Sequence, residues 1–169
     1  MAKKELVTLC VLVDTGTLSW WVAALRDSGD VRPLLRSEPG DLDRYRGLSS
    51  DEQTSFLRHR FCNILQRGTD RLWGYQMKAQ TFAFILDNDL PHAAAELTVR
   101  TADHLVQWMS QPPVIFVRIP VTADPAPRVA IAGEVTESQL SHLTSAAASM
   151  RQLQHNSSDW ETVPGSPKS

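Results

Sequence analysis

The run Leu6-Val7-Thr8-Leu9-Cys10-Val11-Leu12-Val13 leaves the chain few ways to fold. It is β-branched and aliphatic without a polar alternation, so both of its faces must be covered. A strand of that kind lies in the middle of a sheet with helices packed above and below. The run ends abruptly at Asp14, and Asp14-Thr15-Gly16-Thr17 reads as a tight turn. A signal peptide also opens with lysines and an apolar run. Here the run is short and no small-residue cleavage site follows, so a buried strand is the expected state. With 42% hydrophobic and 21% charged residues in 169, the chain has the composition of a globular domain with a substantial core.

Two further strands follow. Leu18 to Arg26 is the second, Asp27-Ser28-Gly29-Asp30 a hairpin signal, and Val31 to Arg36 the third. Pro33 places the third strand at an edge. Residues 37–50 read as a loop. A long helix then starts, with Ser49 and Glu52 at capping-box spacing. Leu57, Phe61, Ile64, Leu65, Gly68 and Leu72 share one helical face. Gly68 on that face marks either a close approach to the sheet or the helix end. Thr81 to Leu86 is a fourth strand, expected to run parallel to the first because a helix intervenes. A second helix opens at Asp89 and Pro91 and stops before Pro112-Pro113. Val114 to Ile119 and Val129 to Ala132 are further strands, and Thr136 to Leu153 a third helix. The domain spans 1–153, and the polar segment 154–169 reads as a disordered tail. The fold class is α/β: a mixed sheet whose N-terminal antiparallel meander is followed by βα units.

That order of elements resembles the ribonuclease H-like fold, shared by ribonuclease H, integrase-type nucleases and the actin-like ATPases. Val13-Asp14-Thr15-Gly16-Thr17 looks like the Asp-x-Gly-Thr hairpin of the ATPase branch. Another mixed α/β sandwich is the alternative. The resemblance implies two sites. As a nuclease, Asp14, Glu52 and Asp87 would be the acids, with Asp14 and Asp87 holding Mg²⁺ or Mn²⁺. Glu134 and Glu137 are available as a fourth acid. As a phosphate or nucleotide site, Asp14, Gly16 and Thr17 would form the hairpin. This chain has room for one lobe, so a second chain would complete the cleft. The plainer readings are that Asp14 caps its own turn, that Glu52 closes the Ser49 capping box, and that Asp87-Asn88-Asp89 is a turn and helix start.

Other features concern surfaces. Trp20 and Trp21 are adjacent in a strand and point to opposite faces. Either helices cover both rings, or one ring anchors a partner. The first long helix carries Arg58, His59, Arg60, Arg67, Arg71 and Lys78. This basic stretch is either a solvated face or a contact for an acidic partner or a nucleic-acid backbone. The acidic segment from Asp27 to Glu52 could neutralise it within the fold or across a dimer. A net charge of −2 disfavours a dedicated nucleic-acid clamp. Cys10 and Cys62 read as core thiols in a reducing cytosol. The five histidines have no metal-ligand spacing, and no serine elbow, Walker loop or dinucleotide fingerprint occurs. The resulting expectation is a cytoplasmic binding or assembly module without a membrane segment. Trp20, Trp21, Arg60, Arg67 and Arg71 are its candidate surface, with a protein partner or a second copy opposite them.

Overall fold

The computed structural model describes residues 3–14, 19–37, 42–86, 113–119, 129–132 and 135–163. Strand β1 (Glu5–Asp14) pairs antiparallel with β2 (Ser19–Leu25), which pairs antiparallel with β3 (Val31–Ser37). Short helix α1 (Leu42–Arg46) and long helix α2 (Ser50–Gly74) follow. Strand β4 (Met77–Leu86) then lies parallel to β1, and β5 (Val114–Arg118) parallel to β4. Strand β6 (Val129–Ala132) is antiparallel to β5. After helix α3 (Glu137–Leu153) and a single 3-10 turn (Ser157–Asp159), β7 (Glu161–Val163) pairs parallel with β3. The described strands form one mixed sheet in the order β6-β5-β4-β1-β2-β3-β7.

β1 sits where its apolar sequence requires, between β2 and β4. Alternate residues enter opposite cores. Val7, Leu9, Val11 and Val13 join Ile64, Leu65 and Leu72 of α2 on one face. Cys10 and Leu12 join Leu143, Ala146, Ala147 and Met150 of α3 on the other. Both helices begin on reciprocal capping boxes, Ser49 with Glu52 and Thr136 with Gln139. Gly68 resolves as a close approach: a Cβ there would lie 2.9 Å from Leu9 Cδ2 and 3.2 Å from Val22 Cγ1. No helix of the described residues is long and apolar enough to cross a membrane.

Four sequence expectations are corrected. Residues 37–50 are not all loop, since α1 forms within them and packs Tyr45 against Phe56 with ring centroids 5.7 Å apart. β4 starts at Met77 rather than Thr81, because buried Met77 and Ala79 alternate with exposed Lys78 and Gln80. Lys78 therefore belongs to the sheet and not to the basic helix. Pro33 marks an edge only for part of β3, whose far end at Leu35–Ser37 is covered by β7. The region from residue 154 is not wholly tail. Trp160 is buried, its Nε1–H donates to Leu153 O at 2.9 Å, and β7 extends the sheet. A single buried ring and three paired residues hold this stretch, and neither produces a hydrophobic period. The helix expected after Asp89 lies outside the described residues.

Candidate functional site

α2 crosses its sheet face antiparallel to β1. Arg60 lies by Trp20, whose strand partner is Val13 near the end of β1. Gly68 rests on Leu9, and Trp73 meets Lys4 at the start of β1. The helix thus joins two ends of the molecule with different chemistry.

At the carboxyl end of β1, Asp14 is backbone-paired with Ser19. Val13 pairs with Leu86, the last residue of β4, so these parallel strands end side by side. The chain leaves β1 toward β2 and β3 on one side, and β4 leads to β5 on the other. Such a reversal of strand order is where open α/β sheets bind ligands. Gly16, Thr17 and Asp87 lie outside the described residues, as does Glu134. The side chain of Asp14 does too. Glu52 is exposed, and its Oε1 accepts the Ser49 backbone N–H at 3.2 Å. That backbone bond, and then the bond between the Ser49 and Glu52 groups, holds its carboxyl below the usual carboxylate range. Glu52 is thereby engaged as a cap. Glu137 is exposed in the first turn of α3. Among the described residues, no group of three His, Cys, Asp or Glu side chains could hold a metal.

The tryptophan pair divides as adjacent strand residues must. Trp20 is fully buried under α2, with its backbone N–H donating to Ser37 Oγ at 2.9 Å. Trp21 packs on the other face, edge-on to Trp160 with centroids 5.0 Å apart. Trp20 therefore offers no surface to a partner, and Trp21 only its half-buried remainder. Arg60 is withdrawn from the surface as well, at 6% exposure. Burial holds its pKa below the ordinary guanidinium value. Arg67 and Arg71 are exposed but engaged. Arg67 Nε donates to Asn63 Oδ1 at 2.8 Å, and Arg71 Nε pairs with Glu161 at 2.9 Å. The acid that meets Arg71 comes from β7, not from the segment Asp27 to Glu52.

At the other end of α2 the structure exposes two aromatic groups that are not among the sequence-predicted site residues. Trp73 is 55% exposed and Tyr75 36%. The Lys4 ammonium sits over the Trp73 ring, and the Arg32 guanidinium lies 3.7 Å from the Tyr75 centroid. Desolvation, and then the charge of Lys78, lowers the pKa of Lys4. Lys4, Arg32 and Lys78 form no ion pair with any described residue. A signal for this end exists in the sequence: Trp73 follows inward-facing Leu72, so it stands off the apolar face of the helix. Comparison of the chain with known protein families, curated proteins and solved structures gives no match.

Proposed function

We propose that the protein is a binding module that docks an acidic segment of a partner protein at the carboxyl end of α2. The observation that carries this reading is the pairing of two exposed aromatic rings with cations, Trp73 with Lys4 and Tyr75 with Arg32. Large aromatics are strong anchors in interfaces because they bury area at low entropic cost. The charges of Lys4, Arg32 and Lys78, none of them in an ion pair with a described residue, attract carboxylates and orient them. A polyglutamate peptide, titrated while tryptophan fluorescence is followed, is the direct probe. The expected result is saturable binding that weakens with salt. Trp73→Ala should reduce affinity about tenfold or more. Absence of binding at low ionic strength, or equal affinity in Trp73→Ala, overturns the reading.

A second reading has its own supporting observation. β1 and β4 end side by side, and the run β3-β2-β1-β4-β5 is consistent with a ribonuclease H-like sheet. In that reading Asp14, Glu52 and Asp87 serve a nuclease, with Mg²⁺ or Mn²⁺ activating water. The engagement of Glu52 with Ser49 weighs against it. It requires metal-dependent cleavage of nucleic acid that Asp14→Asn abolishes, and lack of cleavage in the parent protein ends it.

A further inference from the structure

Arg60 is the charged residue most deeply withdrawn from water among the described residues. Its Nε and Nη2 are both buried, and neither has a hydrogen-bond partner. These two atoms lie along one edge of the guanidinium and form a planar fork. That edge matches two oxygens of a carboxylate or phosphate through parallel N–H···O bonds. Its described surroundings are aromatic and aliphatic. The Trp20 centroid is 5.8 Å from the guanidinium carbon, and Phe56 and Ile64 stand one helical turn to either side. A charge left unpaired in such surroundings is strongly unfavourable, and buried charges are ordinarily paired.

We infer that the Arg60 fork is the receptor for an oxyanion, distinct from the acidic-segment surface at the far end of α2. Its position supports this assignment. Arg60 contacts Trp20, the residue paired with Val13, and so lies beneath the end of the sheet where β1 and β4 finish. This is the reversal of strand order at which ligands enter sheets of this kind. The two fork nitrogens are closed to solvent, so entry of the anion requires local opening around them. The oxyanion is a phosphate or a carboxylate, and the fork accepts either.

Thermal unfolding in sodium phosphate, sodium acetate and sodium chloride at equal ionic strength tests the inference. The unmodified protein should gain about 5 °C or more in Tm at a hundredfold excess of the preferred anion over its Kd. Phosphate against acetate identifies which chemistry the fork takes. Arg60→Met removes the charge and keeps the volume. It should match or exceed the parent Tm in chloride and show no response to either anion. Arg60→Lys keeps the charge without the planar fork and should lose most of the response. Equal Tm in all three salts for the parent protein overturns the inference. So does an anion response that persists in Arg60→Met. A large loss of stability in Arg60→Met with no anion response in the parent also overturns it, because the charge would then be paired within the chain.

Discussion

Gly68 and Leu9 set the distance between α2 and the sheet: a Cβ on Gly68 would meet Leu9 Cδ2 at 2.9 Å and Leu9 Cδ1 at 3.3 Å. Leu9 is fully buried in the middle of β1, so its side chain has little room to withdraw. Gly68→Ala therefore exchanges a helix-propensity gain of about 1 kcal/mol for overpacking of about 1–3 kcal/mol. The expected net change in denaturant unfolding is destabilisation. Gly74→Ala is the control, because nothing lies within 4 Å of its added carbon. It should be neutral or more stable by up to about 1 kcal/mol.

Trp160 and β7 make the residues after α3 part of the domain. Trp160→Ala would remove a buried ring, its edge contact with Trp21 and the bond to Leu153 O. Such truncations cost about 3–5 kcal/mol. A chain ending at Gln154 should be destabilised at least as much, since β3 also loses its outer neighbour. Equal stability of the shortened and full chains would contradict the placement.

The Ser49–Glu52 box links α2 to acid stability. Ser49→Ala should cost about 1 kcal/mol at neutral pH. The pKa of Glu52 is depressed in the folded protein, so its contribution is complete above the ordinary glutamate value. It is lost as pH falls through the lower folded value. In Glu52→Gln that part of the acid sensitivity should disappear, which unfolding curves over the acid range will show.

The thiols should behave differently from each other. Burial pushes the Cys10 thiol up to about 12. It stays protonated in the folded state while an unfolded chain ionises at lower pH. Its contribution is therefore complete below the ordinary thiol pKa and lost as pH rises toward about 12. Cys62 is only half-buried on α2. A thiol reagent added to folded protein should label Cys62 first, and Cys10 only at the rate of unfolding. Rapid labelling of Cys10 would contradict its burial.

Much of the scaffold was legible because it rests on strong local patterns. Leu6 to Val13 has no polar face, and that placed β1 centrally. The capping box at Ser49 rests on side chains three residues apart, so it is visible in a linear chain; Thr136 and Gln139 have the same spacing, and the structure adds their box. The surfaces were less legible. Arg60 looked like one more cation of a basic helix, although its spacing of four from both Phe56 and Ile64 puts it on the apolar face. Trp20 and Trp21 are neighbours in sequence, yet the fold buries the first and Trp160 half-covers the second. Trp160 stands alone in a polar stretch, and its burial follows from pairing between β3 and β7, far apart in sequence. Lys4 and Trp73 meet only because α2 runs back along β1.

The central claim is that the carboxyl end of α2 receives an acidic partner. Backbone amide chemical shifts, followed during titration with polyglutamate at low ionic strength, test it residue by residue. Saturable shifts gathered at Lys4, Arg32, Trp73, Tyr75 and Lys78 are the predicted result. No saturable shifts, or shifts gathered elsewhere with these five unmoved, would contradict it.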